Sequence, residues 1–333
     1  YFQNITGWLF IAAVLALYGL YFLAYNLRAG YPYVSYTLSA ISFIMLIAVP
    51  ILTMRSMAEE RHSRTDQLVL TAPVSLGKMI FGKFLAMVGV FTVAVAVIAV
   101  TPLVLAAFGT VPMGENYVAV LGFWLYGCTC IAVGMLASAL TESQVIAAVV
   151  AFAFLFLGYM MNSITGLIGD HLITKVLGAY DLYTPLQSFM SGCLDLTGVV
   201  YFVSVTALCL FLTCQCVQKR RWSMTTKKLT TGMFSVAMIV VGFTVAVAVN
   251  MVVKEMPSSW TAVDATSTKL YSLTDTTKDY VKNLSQDVTI YVLSSEKSAD
   301  STLAETLQRY EDLSKHLNVV YKDQAKSPNF YQQ

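Results

Sequence analysis

Three groups of residues in this 333-residue chain are of types that do chemistry. Gly77-Lys78-Met79-Ile80-Phe81-Gly82-Lys83-Phe84 nearly spells a phosphate-binding loop, G-x-x-x-x-G-K followed by Ser or Thr. Phe84 cannot supply the hydroxyl that holds Mg²⁺, no strand pattern precedes the motif, and a long apolar run follows it, so no nucleotide site is expected there. The cysteines offer no C-x-x-C pair: Cys128 and Cys130 point apart on a helix, as do Cys214 and Cys216, while Cys193 and Cys209 stand alone. They read as small apolar side chains, and the methionines as packing. His62, His171 and His316 lie in three separate regions and cannot share one metal. No Ser-His-Asp or Cys-His set can be assembled, so neither catalysis nor a cofactor site is expected in this chain.

What remains is a charged stretch, Arg55 to Lys83, between two apolar runs. Glu59 and Glu60 beside Arg61, Arg64 and Asp66 form a charged helical segment. Leu68, Val69 and Leu70 follow as an apolar knob, and Thr71-Ala72-Pro73 breaks the chain before it turns apolar again. A helix with an apolar knob between charged flanks suits docking into a partner's groove.

The elements that must position this stretch are set by composition. Hydrophobic residues make up 57% of the chain and charged ones 12%, with a mean hydropathy of +0.66, whereas a soluble globular chain carries about 25% charged residues. A net charge of +2 is too small to suggest nucleic-acid binding. Seven runs reach the roughly 20 residues needed to span a bilayer: Gly7–Leu27, Val34–Met54, Met79–Gly109, Val118–Leu140, Val145–Asn162, Leu196–Gln218 and Gly232–Val253. The one ionisable side chain well inside them is Lys83, near an end from which it can snorkel. That absence argues against a proton relay.

Basic residues cluster after the second run (Arg55, Arg61, Arg64, Lys78) and after the sixth (Lys219, Arg220, Arg221, Lys227, Lys228). Both loops are therefore expected in the cytoplasm, with the N-terminus inside and everything after Val253 outside. Ser163 to Cys193 is amphipathic and broken by glycines and Pro185, which predicts short helices dipping into the outer leaflet. From Asp264 onward the chain reads as soluble. Thr276–Leu284 has a helical pattern, Asp287–Leu293 alternates as a strand, Thr302–Leu313 is helical and Leu317–Tyr321 is a strand. The strands are expected to be parallel in a sheet that needs further strands. Tyr1 is no initiator Met and the sequence stops just after a strand, so both ends are expected to continue.

The run Ala58-Glu59-Glu60-Arg61-His62-Ser63-Arg64-Thr65-Asp66-Gln67-Leu68-Val69-Leu70-Thr71-Ala72-Pro73-Val74, then Gly82-Lys83, closely resembles the coupling region of type-2 ABC exporter permeases. It is similar above all to the F-type permease of the gliding-motility family, with Arg64 where that family often has Gly. The resemblance covers Tyr1 to about Val217. Lys269-Leu270-Tyr271-Ser272-Leu273-Thr274-Asp275, the strand at Val288–Leu293 and Lys326-Ser327-Pro328-Asn329-Phe330 resemble the start of the G-type auxiliary protein.

The resemblance implies an α-helical polytopic membrane protein in four parts. These are a six-helix permease domain over 1–217, a cytoplasmic linker over 218–231, a seventh transmembrane helix over 232–253, and an incomplete extracytoplasmic α/β domain over 254–333. It implies that Glu59, Glu60, Arg61, Thr65, Asp66, Leu68 and Pro73 meet a separate ABC ATPase, present in two copies and carrying the ATP and Mg²⁺. It also implies a homodimer in a bacterial plasma membrane, with Trp8, Phe10 and Tyr18 on its seam. Export by ATP-driven rocking is the function expected. Apart from Lys83 the spans lack charged residues, which also fits a relay that moves no solute, or an apolar substrate such as a lipid. A membrane-anchored outward enzyme is disfavoured, because six spans exceed what an anchor needs.

Overall fold

The computed structural model describes residues 5–65, 75–168, 178–222, 228–254, 256, 262–265, 275–284, 286–294 and 301–322. Helix α1 (Ile5–Phe22) continues as a π-helical turn, Leu23–Arg28. Then follow α2 (Ser35–Thr53), α3 (Arg55–His62), α4 (Leu76–Ala106), α5 (Met113–Leu140) and α6 (Gln144–Ile168). A 3₁₀ turn at Gly178–Tyr180 leads to α7 (Tyr183–Met190), strand β1 (Cys193–Asp195), α8 (Leu196–Trp222) and α9 (Lys228–Lys254). The last part comprises β2 (Ala262–Asp264), α10 (Asp275–Lys282), β3 (Val288–Val292), α11 (Ser301–Leu313) and β4 (Leu317–Tyr321).

Among the described residues six helical runs are long and apolar enough to cross a membrane: Ile5–Arg28, Ser35–His62, Leu76–Ala106, Met113–Leu140, Gln144–Leu167 and Leu196–Gln218. They fall where the first six apolar runs of the sequence lie. The seventh run falls in α9, whose described apolar part is Ala237–Val253. It packs along α8, where Asn250 Nδ2 donates to Ser204 Oγ at 2.7 Å. An apolar groove of about 330 Å³ between the two helices is lined by Phe211, Met238 and Val245 among others.

Helix α5 is the axle of the bundle. Its apolar stretch is 83% buried, against 22–56% for the other five spans. Small residues make that possible, because in a bilayer helices associate through close packing rather than through exclusion of water. A Cβ at Gly127 would lie 2.2 Å from the Phe91 ring of α4, and one at Gly134 would lie 2.2 Å from Thr53 Oγ1 at the end of α2. Helix α2 carries Pro50 one turn before its end. Proline has no N–H, so the carbonyl of Leu46 lacks its usual helical partner.

Two buried amides organise the end of the bundle away from α3, here the distal end. Asn26, in the π-helical turn, donates to the carbonyls of Tyr31 (2.8 Å) and Tyr33 (3.1 Å) and accepts from Thr37 Oγ1 (2.7 Å). Asn116 accepts from the Val34 N–H (2.7 Å) and donates to the Pro32 carbonyl (3.1 Å). The loop between α1 and α2 is thereby fixed to α5.

Beyond α9 the strands β3 and β4 lie in the segments whose alternation predicts strands and pair in parallel, the sense expected of a crossover connection, with Val288 opposite Leu317 through Val292 opposite Tyr321. Val281, Leu307 and Leu317 are buried where α10 and α11 pack. Strands β1 and β2 form a second, antiparallel pair that joins the chain beyond α9 to the bundle.

Candidate coupling site

The charged stretch begins as a helix with no break from the membrane span. Only Met54, itself in helical conformation, separates α2 from α3. Helix α3 has no side-chain cap of its own at its N-terminus, so its first N–H groups need partners from elsewhere. Ser138 of α5 supplies one. Its Oγ accepts from the N–H of Met57 (3.1 Å) and of Ala58 (3.0 Å), and donates to the carbonyl of Met54 (3.0 Å). The hydroxyl acts as an N-cap delivered in trans, from a residue far away in sequence.

Two charged contacts hold the other sides of α3. Lys83, in the second turn of α4, forms an ion pair with Glu60 and donates to the Ser56 carbonyl at 3.0 Å. Their side chains are 21% and 33% exposed, so this pair is partly desolvated. Arg61 pairs with Glu142 at 2.6 Å, just beyond α5, and reaches the Leu140 carbonyl at 3.4 Å. The C-terminus of α3 is closed by Ser63, whose Oγ donates to the Glu59 carbonyl at 2.8 Å, and by Thr65, whose Oγ1 donates to the Glu60 carbonyl at 3.3 Å. Arg64 completes the turn with φ of +57°, in the left-handed region that glycine occupies without cost.

These anchors sort the sequence-predicted residues into two sets. Ser56, Met57 and Ala58 are buried, and Glu60 and Arg61 are half-buried and committed to α4 and α5. Arg55, Glu59 and His62 are exposed and, at spacings of four and three, share one face of α3. Thr65 is exposed beyond it. Asp66, Leu68 and Pro73 lie outside the described residues. Sequence reasoning missed Ser138 and Glu142 as parts of this site. It saw Lys83 only as a snorkelling side chain, although a lysine set inside a span asks for a carboxylate partner.

The phosphate-loop look-alike Gly77–Phe84 lies within α4, so its backbone N–H groups face along a helix and make no cradle. Cys128, Cys130, Cys193 and Cys209 are buried. Among the described residues no group of three His, Cys, Asp or Glu side chains could hold a metal. Of the three residues assigned to a dimer seam, Trp8 is 56% exposed on the outer face of α1, whereas Phe10 and Tyr18 turn into this chain's own core. The Tyr18 hydroxyl lies 2.6 Å from Thr101 Oγ1 of α4.

Among the described residues, six helical runs apolar enough to span, with a charged helix continuing from the second, define a polytopic α-helical membrane protein. Residues 28–217 match the family model described as ABC-2 family transporter protein. This is more than half of the chain, and the chain belongs to that family. It is a transmembrane component of an ABC transporter. Residues 267–333 match a second model, described as Domain of unknown function (DUF7088). Neither the curated proteins nor the solved structures contain a match to the chain.

Proposed function

We propose that this chain is the permease subunit of an ATP-driven type-2 exporter whose ATP is hydrolysed on a separate cytoplasmic ATPase, two copies of which meet a homodimer of the permease. The exposed face of α3, with Arg55, Glu59 and His62, receives the ATPase, and the sequence resemblance adds Asp66, Leu68 and Pro73 to the residues that meet it. The observation that carries this reading is the three-sided anchoring of α3 by Ser138, Lys83 and Glu142. A merely solvated loop has no need of such bracing, while a lever that must pass force to α4 and α5 does. The basic residues around α3 and at the end of α8 support a reading in which this end faces the cytoplasm of a bacterial plasma membrane and the distal end faces outward.

In the same reading residues 1–217 form the permease domain and 218–231 a cytoplasmic linker. Residues 232–253, within α9, form a seventh span, and residues 254–333 begin an extracytoplasmic domain. The chain then corresponds to an F-type permease of the gliding-motility family fused to the start of its G-type auxiliary protein. Trp8 and the outward faces of α1 and α6 make the dimer seam.

A second reading, that the bundle relays ATP-driven motion to the envelope without moving solute, is favoured by the β1–β2 pair, which ties the chain beyond α9 to the bundle. The purified chain alone is expected to hydrolyse no ATP and to co-purify from its native membrane with a protein that carries a complete phosphate loop. Intrinsic ATPase activity in the isolated chain overturns the assignment. Reconstituted vesicles separate the two readings, since ATP-dependent flux of any lipid or polymer excludes the pure relay.

A further inference from the structure

We propose that the β1–β2 pair is a permanent clamp that fastens the segment beyond α9 to the distal end of the axle helix α5, so that this segment moves as one body with the bundle. One strand of the clamp, β1, lies inside the match at 28–217, whereas the other, Ala262–Asp264, lies outside both family matches.

The β1 half of the clamp is built into the bundle, and the β2 half is seated on it. On the β1 side, the chain turns at Gly192 (φ +80°) after α7 and runs straight into α8. Asp195 caps that helix, its Oδ1 accepting from the Thr197 N–H (2.8 Å) and hydroxyl (2.7 Å). Cys193 is fully buried. The β2 side pairs residue for residue, Cys193 with Asp264, Leu194 with Val263 and Asp195 with Ala262. The Ala265 N–H then donates to the Gly192 carbonyl at 3.3 Å.

The floor of the clamp is the first turn of α5. A Cβ at Gly114 would lie 2.6 Å from the Ala265 carbonyl oxygen, a distance that backbone cannot relieve by rotating a side chain. Gly114 therefore permits the backbone of the outer segment to seat on α5. The other end of the same helix carries Ser138, which caps α3. One rigid element thus touches both the coupling helix and the outer segment. Its 28 residues correspond to about 42 Å at 1.5 Å per residue.

The inference rests on the ATP-driven reading only for what drives the motion, and its first test needs no ATP. Directly opposed residues in an antiparallel pair have Cα atoms about 4.5–5.5 Å apart, within disulfide reach. In the full chain in native membranes, Leu194→Cys with Val263→Cys is expected to cross-link under mild oxidation at least tenfold faster than Leu194→Cys with Tyr280→Cys. Tyr280 is exposed on α10, and the mass of the linked peptides identifies each product. Adding Gly114→Leu slows the cross-link severalfold, whereas Gly19→Leu, where a Cβ meets nothing within 4 Å, leaves it unchanged. Ala265→Pro, which removes the N–H to Gly192 from a position outside every span, also slows it and covers the case in which Gly114→Leu fails to fold.

Equal rates for the two cysteine pairs, or indifference to both added substitutions, overturn the clamp. Locking the strands is expected to leave partner-driven ATP hydrolysis unchanged, and a locked chain that stalls shows that the strands must part and overturns it too. A membrane with no such hydrolysis before locking counts against the ATP-driven reading, while the cross-linking rates still decide the clamp.

Discussion

The Lys83 ammonium sits between the Glu60 carboxylate and the carbonyl of Ser56, so a lysine set inside the third span faces the helix that follows the second. The contact makes α3 and α4 one unit at the membrane surface. Removing one partner leaves the other charge partly desolvated, at a cost of about 1–2 kcal/mol for a pair between the exposed and buried limits. Thermal unfolding of Glu60→Gln, Lys83→Met and the double variant is expected to give a coupling energy near 1 kcal/mol. Additive losses would show that the pair holds nothing.

Ser138 is expected to matter through amides rather than through packing. In Ser138→Ala the N–H groups of Met57 and Ala58 lose their acceptor, and loss of a cap costs about 1 kcal/mol. Hydrogen exchange at those two amides is then expected to rise about fivefold, with α1 unchanged. Uniform acceleration through the bundle would mean that the serine is only a core residue.

Charge on the exposed face of α3 separates docking from stability. Glu59→Lys is expected to leave the melting temperature of the purified permease within error of the parent, because exposed substitutions of this kind shift stability by about 0.5 kcal/mol or less. It is expected to weaken retention of the partner ATPase severalfold on co-purification. Lys83→Met should lower both, and a Glu59→Lys chain that keeps its partner would move the docking face elsewhere.

Arg64 holds a left-handed backbone that costs an L-residue about 1–2 kcal/mol. Arg64→Gly is therefore expected to stabilise the turn after α3 by somewhat less, about 1 kcal/mol, because glycine also loses more freedom on folding. A lower melting temperature in Arg64→Gly would mean that the guanidinium carries a contact worth more than the strain.

Gly127 and Gly19 predict opposite outcomes for one substitution. Gly127→Val drives a branched side chain into the Phe91 ring, and overpacking of this kind costs about 1–3 kcal/mol or more. Gly19→Val meets open space and is expected to be neutral in folded yield. Similar yields for the two would contradict the close approach of α4 and α5.

The spans were legible because length and absence of charge are sufficient signals in a bilayer. The strand–helix–strand pattern of Val288–Tyr321 was legible because soluble elements alternate polar and apolar faces. Which face of a span turns inward was not. Lipid is as apolar as the interior, so Phe10 and Tyr18, buried, carry the same kind of side chain as Leu9 and Leu17, exposed. The trans cap was hidden because a single serine in an apolar helix has no pattern, and its partner lies far away in sequence. The β1–β2 pair was hidden for the same reason, being three residues on each side with two long helices between them.

Pro50 gives the second span a built-in flexure. Its missing N–H removes one rung of the helical ladder at Leu46, one turn from the junction where α3 is braced on three sides. A load applied to α3 will therefore bend α2 at that weakened rung before it melts the braced end, much as a leaf spring yields at its notch. The part of the second span before Pro50 is in this way set off by a weakened rung from the part that runs into α3, while α4 and α5 hold α3 directly through Lys83 and Ser138.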